Sequence, residues 1–220
     1  MMEIMEENTM SDSVDIQEFY NDIAEDFAKD WYENDSLLPV LKNFISLLPQ
    51  SPKILDLGCG AGYESMRLRQ LGATVTGVDY SKEPIKIARQ KNPDCRFEIM
   101  DFRMLSDDLG YFDGVLAVAA FIHISDEELE LVFQNIKKVL KESGYVLIIT
   151  VEGQGLSEER TFIEHKGKQY KRYFYLHNKD SLSNAAQKVG LSFSQLIELP
   201  DEHAKYGWKG FLYHSNTRKP

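Results

Sequence analysis

The chain has 220 residues, 43% of them hydrophobic, which is enough for one domain with a substantial core. It carries 35 acidic side chains and 25 lysines and arginines, which gives a formal net charge of −10. This excess of negative charge disfavours contact with the phosphates of nucleic acid. We therefore expect a small molecule as the partner, and no nucleic acid.

Membrane, secretory and metal-binding classes are also disfavoured by the sequence. No apolar run approaches the roughly 20 residues that cross a bilayer, and the first dozen residues carry glutamates and no cation, unlike a secretory leader. The two cysteines, Cys59 and Cys95, lack the spacing of a metal site. We expect a cytoplasmic protein without bound metal or membrane contact, as a monomer or a homodimer.

The N-terminal part divides into two segments. Residues 1–13 have no apolar periodicity, so we expect them to be mobile. From Val14, apolar residues recur every three or four positions, and a second such stripe runs until Pro49. These patterns predict two amphipathic helices over residues 14–50, followed by a single domain that continues to residue 220.

A glycine-rich stretch, residues 53–62, follows these helices. The apolar run at 54–57 predicts a buried strand that contains Asp56, and glycines stand at 58, 60 and 62 before a predicted helix. Strand, glycine turn and helix together indicate a nucleotide-binding corner, because glycine lets the backbone approach a ligand closely. A dinucleotide fingerprint needs its third glycine at position 63, which is occupied by Tyr63.

The pattern Asp-x-Gly-x-Gly-x-Gly at residues 56–62 resembles the first motif of class I S-adenosylmethionine-dependent methyltransferases. The resemblance extends over roughly residues 15–150. It implies a Rossmann-like, doubly wound α/β fold, S-adenosyl-L-methionine as cofactor, and methyl transfer to an oxygen, nitrogen or carbon nucleophile of a small molecule. It also implies that the cofactor binds to Asp56, Gly58, Cys59 and Gly60.

A second acidic residue ends the next predicted strand. Asp79 follows a β-branched run and lies 17 residues after Gly62. A carboxylate at this place can accept hydrogen bonds from both ribose hydroxyls, and Tyr80 beside it can stack on the adenine. The alternative is that Asp79 caps the following helix, although Ser81 is the better cap.

Two further stretches extend the resemblance. Asp101 and Phe102 follow the strand at 96–100 and resemble the family's third motif, in which an acid accepts from the adenine amino group. The alternative for Asp101 is a solvated turn. The strand at 112–118 ends in Val118 and two alanines, and these small residues leave room for the sulfonium and its methyl group.

Three side chains are weak candidates for catalysis. His123 has the ordinary pKa of a general base, but this family commonly carries a histidine there that ties the loop to neighbouring backbone, so both roles stay open. Residues 152–177 predict a hairpin about Gly167, which inserts Tyr173 and His177 as candidate acceptor contacts together with Arg172 and Tyr175. The alternative is an edge hairpin with solvated charges.

The first predicted helix resembles the lid of many small-molecule methyltransferases. In that interpretation Tyr20 places its hydroxyl near the cofactor's carboxylate and Tyr32 lines the entrance, and the alternative for these aromatic residues and for Trp31 is core packing. The alternation of strands and helices predicts a mostly parallel, seven-stranded sheet whose last strand is antiparallel, with the helical lid before it and the hairpin insertion after strand 5.

Two other functions remain compatible with the sequence. The first is an NAD-dependent oxidoreductase on a similar sheet, against which Tyr63 argues. The second is a non-catalytic protein that binds S-adenosylmethionine or S-adenosylhomocysteine. Only a test for methyl transfer separates this binding protein from an enzyme.

Overall fold

A computed structural model describes residues 4–158 and 162–216. Its helices are α1 (Ile4–Tyr32), α2 (Leu38–Ser46), α3 (Tyr63–Gln70), α4 (Lys82–Lys91), α5 (Leu129–Val139), α6 (Lys179–Lys188) and α7 (Asp201–Ala204). Its strands are β1 (Lys53–Leu57), β2 (Thr74–Asp79), β3 (Arg96–Ile99), β4 (Phe112–Val118), β5 (Leu140–Val151), β6 (Gly155–Leu156), β7 (Phe162–His165), β8 (Lys168–Lys171), β9 (Tyr175–Leu176), β10 (Leu191–Glu198) and β11 (Trp208–Ser215). Within these ranges, no helix combines the length and apolar character needed to cross a bilayer.

Seven strands form the central sheet, in the order β10-β11-β5-β4-β1-β2-β3. Strands β1 to β5 pair in parallel, whereas β11 is antiparallel to both of its neighbours, β5 and β10. The predicted Rossmann-like, mostly parallel sheet with an antiparallel last strand is therefore confirmed. Strands β2 and β3 are added on one side of β1, and β4 and β5 are added on its other side. The strand order therefore reverses between β1 and β4, which is the topological switch point of the sheet.

The core lies on both faces of this sheet. In β1, Leu55 and Leu57 join a cluster with α5, whereas Ile54 joins a second cluster with α2 and α3. This division follows from strand geometry, because successive side chains point to opposite faces. Helices thus cover the sheet on both sides and leave the carboxyl ends of its parallel strands available for a site.

Helix α1 is longer than its apolar periodicity predicts. It begins at Ile4 rather than at Val14. Extending an existing helix costs little once it has formed, and Met and Glu, which are frequent before Val14, are good helix formers. The predicted start was therefore wrong by ten residues, while the mobility of residues 1–13 stays a prediction.

The predicted hairpin insertion is present and packs against α1. Strands β7 and β8 pair antiparallel about a turn at Gly167, and the part of the predicted insertion that falls on residues 159–161 lies outside the described residues. Tyr170 of β8 is buried against Phe19 and Ile23 of α1. Lys168 beside it pairs with Glu18, at 2.6 Å.

Arg67 of α3 holds the C-terminal end of α1. Its side chain is only 1% exposed, and its guanidinium donates to the backbone oxygens of Trp31 at 2.7 Å and Tyr32 at 3.3 Å. It also donates to the carboxylate of Asp35 at 3.1 Å. A cation at this place satisfies carbonyls that have no partner within the helix.

We expect the substitution Arg67→Met to lower the free energy of unfolding by about 3 kcal/mol, because it removes a buried guanidinium together with its hydrogen bonds to the end of α1 and to Asp35. Urea unfolding measures this change. Arg69→Met is the matched control, since it removes the same charge from an exposed position of the same helix. Equal stability of the two variants would contradict this role for Arg67.

Candidate functional site

A cavity of about 960 Å³ lies at the carboxyl ends of the parallel strands, beneath α1. This volume is at the upper end of the range for small-molecule sites, about 300–1,000 Å³. The cavity is lined by nine of the ten residues predicted to bind the cofactor: Tyr20, Asp56, Gly58, Gly60, Asp79, Tyr80, Asp101, Phe102 and Val118. The fold therefore brings these separated sequence positions together at the topological switch point.

The glycine turn after β1 is held by β2. The backbone N–H groups of Gly58 and Cys59 both donate to the carbonyl oxygen of Val78, at 2.8 and 3.0 Å. Gly58 has a φ of +65°, and a Cβ on it would lie 2.7 Å from the Cβ of Ala120. Only glycine fits this turn, where the backbone forms the cavity wall.

Cys59 is the predicted cofactor residue that the cavity lining lacks. Its side chain is 3% exposed and packs with Ile85, Ala88 and Phe97, and burial raises the pKa of its thiol well above the ordinary value. Its N–H is already bonded to Val78. The assignment of Cys59 to cofactor binding therefore has no support in the geometry, because both its side chain and its donor point away from the cavity.

Asp79 stands at the cavity wall and also orders the backbone around it. Its carboxylate accepts from the N–H of Gly60 at 3.0 Å and from the N–H of Ser81 at 2.8 Å. Burial raises the pKa of this carboxyl group. A carboxylate has about four lone-pair positions, so two of them are left for a ligand. Both roles weighed for Asp79 are thus compatible with its position.

Asp101 is part of an ion-pair network rather than a solvated turn. Its two oxygens accept from Nε and Nη2 of Arg103, at 3.0 and 2.7 Å, and Nη1 of Arg103 reaches Glu128 at 3.1 Å. Hydrogen bonding to Asp101 raises the pKa of Arg103. Phe102 beside it is buried at the cavity wall. Arg103 was not predicted as a site residue, since nothing in its spacing indicated that its side chain folds back onto Asp101.

His123 is bonded through both ring nitrogens. Its Nδ1 lies 3.3 Å from the carbonyl oxygen of Tyr173, which can only accept, so this nitrogen carries the proton. Its Nε2 lies 2.8 Å from the hydroxyl oxygen of Tyr20 and accepts a hydrogen bond from that hydroxyl. Burial, and then the charge of Arg172, lower the pKa of His123 to about 4. The imidazole is therefore neutral at pH 7 and ties α1 to the insertion.

This arrangement changes the expected role of Tyr20. Its hydroxyl proton is directed to His123, and its oxygen also accepts from the side chain of Arg172. Tyr20 lines the cavity as predicted, but it presents lone pairs rather than a proton to a ligand. Tyr32 does not line the entrance, because its hydroxyl donates to the carbonyl oxygen of Ala61 at 2.6 Å.

His177 is not in the cavity, so its candidacy for catalysis was wrong. It is fully buried, and its Nε2 lies 3.0 Å from the carbonyl oxygens of both Phe121 and Ile124. His177 follows β9 and packs beneath the turn after β4. Sequence spacing does not indicate this contact. Tyr173, by contrast, lines the cavity, and its ring stacks on that of Tyr175 at 6.3 Å.

Two acids and several aromatic rings form one part of the cavity wall. Asp56 accepts from the hydroxyl of Ser65 at 2.6 Å, and burial raises its pKa to about 7. Glu64, which the sequence analysis missed, also lines the cavity, and burial raises its pKa to about 8. Its position in the first turn of α3 was the available signal. The nearby rings of Trp31 and Tyr63 stack at 6.2 Å.

The tail of the chain also reaches this wall. His203, from α7, stacks on Trp31 at 6.2 Å, and Trp208 from β11 lines the cavity. Among the described residues, no group of histidine, cysteine, aspartate or glutamate side chains is arranged to hold a metal ion.

Residues 54–144 match the family model described as a methyltransferase domain. The ubiquinone biosynthesis O-methyltransferase of Xanthomonas axonopodis pv. citri (strain 306) is 28% identical over 67% of this chain and 66% of its own length. The putative methyltransferase YqeM of Bacillus subtilis (strain 168) is 33% identical over 46% of this chain and 42% of its own. The match to this chain thus covers less than two thirds of the length of each relative.

Solved structures share the fold. The 1,6-didemethyltoxoflavin-N1-methyltransferase of Burkholderia thailandensis, with 1,6-didemethyltoxoflavin and S-adenosylhomocysteine bound, has a TM-score of 0.70 and 16% identity over 93% of this chain and 89% of that one. The magnesium protoporphyrin IX methyltransferase ChlM of Synechocystis PCC 6803, with S-adenosylmethionine bound, has a TM-score of 0.68 and 17% identity over 93% and 97%. Residues 54–144 thus match a methyltransferase domain, and the chain shares the fold of these two solved methyltransferases.

Proposed function

We propose that this protein transfers the methyl group of S-adenosylmethionine to an oxygen, nitrogen or carbon nucleophile of a small molecule. The observation that carries the proposal is the single cavity that joins the glycine turn, Asp79 and Asp101 to the small residues that end β4. The relatives' names support a small-molecule acceptor, since one is a ubiquinone biosynthesis O-methyltransferase.

The residues of the cavity fit this cofactor. The backbone at Gly58 comes close enough to Ala120 that a Cβ would not fit, and Val118 and Ala119 add little volume beyond it. Asp79 has lone pairs for ribose hydroxyls, and the rings of Tyr80 and Phe102 suit the two faces of an adenine. Bound S-adenosylmethionine supplies an electrophilic methyl carbon, so the protein's main task is to align the nucleophile.

The acceptor is expected on the side of the insertion. Tyr173, Phe174 and Tyr175 of the insertion line the cavity. Arg172 adds a cation to this wall and approaches the ring of Phe174 at 5.1 Å. A mostly apolar wall with one cation suits a small organic acceptor that the insertion helps to enclose.

Methyl transfer is tested by incubating the protein with methyl-labelled S-adenosylmethionine and a panel of small phenols, amines and carboxylic acids. We expect formation of S-adenosylhomocysteine to rise with at least one class of acceptor above the rate without acceptor. Tight binding of the cofactor with no transfer to any class would instead favour the non-catalytic binding protein.

We expect Asp79→Asn to weaken binding of S-adenosylhomocysteine by about 1–3 kcal/mol, because a neutral amide accepts more weakly from the ribose hydroxyls. Calorimetric titration measures the affinity. Asp94→Asn is the matched control, since Asp94 is exposed and does not line the cavity. Asp79 also orders Gly60 and Ser81, so thermal unfolding of both variants is measured as well. Unchanged affinity in a folded Asp79→Asn protein would refute the ribose contact.

We expect His123→Asn to reduce turnover less than about tenfold and to leave the pH profile between pH 6 and 9 unchanged. The pKa of His123 is lowered to about 4, so the ring does not titrate in this range, and its Nε2 is occupied by Tyr20. His203→Asn is the control, because His203 also lines the cavity. A loss near a thousandfold for His123→Asn alone would make it the general base.

A further inference from the structure

One part of the cavity wall is built only from uncharged side chains, and the assignments to the cofactor leave most of them unused. Val118, the last residue of β4, pairs with Ile149 of β5, and Trp208, the first residue of β11, pairs with Val151 two positions further along β5. We call this part of the wall the apolar compartment. It consists of six residues that all line the cavity: Val118, Ala119, Ile122, Ile149, Phe174 and Trp208.

The strand order sets the width of the apolar compartment. Strand β5 lies between β4 and β11. Neighbouring strands are about 4.8 Å apart, so the backbones of β4 and β11 are about 10 Å apart. Phe174 of the insertion packs in one cluster with Ile122, and Ala119 and Trp208 pack against that cluster. A small ring lying over Ile149 would therefore extend from Ala119 on one side to Trp208 on the other.

The backbone is strained where this compartment meets the end of β4. Ala119 has a φ of +55°, a left-handed conformation that is uncommon for a residue with a Cβ. Its N–H donates to the carbonyl oxygen of Ile149 at 2.9 Å, which fixes this conformation against β5. Strained residues of this kind concentrate at functional sites. Ala119 also adjoins Val118, to which the proposed function brings the methyl group.

Trp208 differs from the other tryptophan of the chain. The sequence has two tryptophans, and both line the cavity. The ring of Trp31 already stacks on those of Tyr63 and His203, at 6.2 Å each. Among the residues that the structure describes, no ring stacks on half-buried Trp208, and its indole N–H has no hydrogen-bond partner. Since a tryptophan N–H usually finds a partner when it is buried, Trp208 retains both a donor and stacking capacity for a ligand.

We propose that the apolar compartment binds the methyl acceptor, and that this acceptor is a planar aromatic compound whose ring packs between Ala119 and Trp208. This inference rests on the proposed function, since it names the substrate class of the same cavity. The rings of Phe174 and Trp208 offer the contacts that aromatic ligands prefer, and none of the six side chains carries a charge. A ring held there has its substituents beside the small residues that end β4, which aligns a nucleophile with the methyl carbon.

The test uses the full chain saturated with S-adenosylhomocysteine, so that the part of the cavity assigned to the cofactor is filled. Calorimetric titration then compares 2-naphthol with decahydro-2-naphthol, which has the same carbon skeleton and hydroxyl group but no aromatic ring. We expect 2-naphthol to bind about tenfold more tightly, because stacked aromatic rings gain more than their buried area alone provides. Equal affinity, tighter binding of the saturated alcohol, or binding of neither would overturn the inference.

We expect Trp208→Leu to weaken the binding of 2-naphthol about tenfold and that of decahydro-2-naphthol or S-adenosylhomocysteine less than about twofold. Trp208→Phe keeps an aromatic ring and should restore most of the preference for 2-naphthol. Tyr111→Leu is the matched control, because Tyr111 is 68% exposed and lies outside the cavity lining. Equal losses for both alcohols in a folded Trp208→Leu protein would contradict the stacking of the acceptor on this indole.

A second measurement needs no substitution of Trp208. Incorporation of 5-fluorotryptophan gives one fluorine resonance for each of the two tryptophans, and Trp31→Phe assigns them. We expect 2-naphthol to shift the Trp208 resonance more than that of Trp31, and the saturated alcohol to shift both less. A shift confined to Trp31, or no shift, would overturn the inference while leaving the proposed function intact. Failure of the protein to bind S-adenosylhomocysteine would instead overturn the proposed function and, with it, this inference.

Discussion

The site depends on the attachment of the glycine turn to the neighbouring strand. The N–H groups of Gly58 and Cys59 share the carbonyl of Val78, and Asp79 accepts the N–H of Gly60. These bonds hold the turn open at the point where the strand order reverses. Because Ala120 leaves no space for a Cβ at Gly58, the backbone itself forms the cavity wall. The other residues of the cavity wall, such as Asp79 and Phe102, surround this turn.

Two ties hold α1 over the cavity. At its C-terminal end, Arg67 of α3 binds the last carbonyls of the helix, and the hydroxyl of Tyr32 binds Ala61 in the glycine turn. Near its middle, Tyr20 donates to His123, which in turn donates to the backbone of Tyr173 in the insertion. The covering helix, the turn after β4 and the insertion are thereby connected by hydrogen bonds, so enclosure of a ligand depends on groups from three separate parts of the chain.

Short-range patterns predicted most of the fold and identified residues that line one cavity. The glycine spacing and the acids at strand ends are local signals, and parallel topology brings them to one edge, as with Asp56 and Asp79. Long-range packing was not predictable: His177 looked available in sequence but is buried beneath the turn after β4. Cys59 lies within the motif, yet its side chain packs against Ile85 and Ala88 of α4, a contact that the motif does not indicate. Glu64 lines the same cavity as Asp56, although no sequence motif indicated it.

Calorimetric titration of the full chain with S-adenosylmethionine, S-adenosylhomocysteine and NAD, under one set of conditions, tests the central claim most directly. The glycine turn, with Tyr63 in place of a third glycine, and the cavity around Asp79 predict saturable binding of the first two ligands and none of NAD. Binding of NAD alone, or of none of the three, would contradict the assignment of this cavity to S-adenosylmethionine.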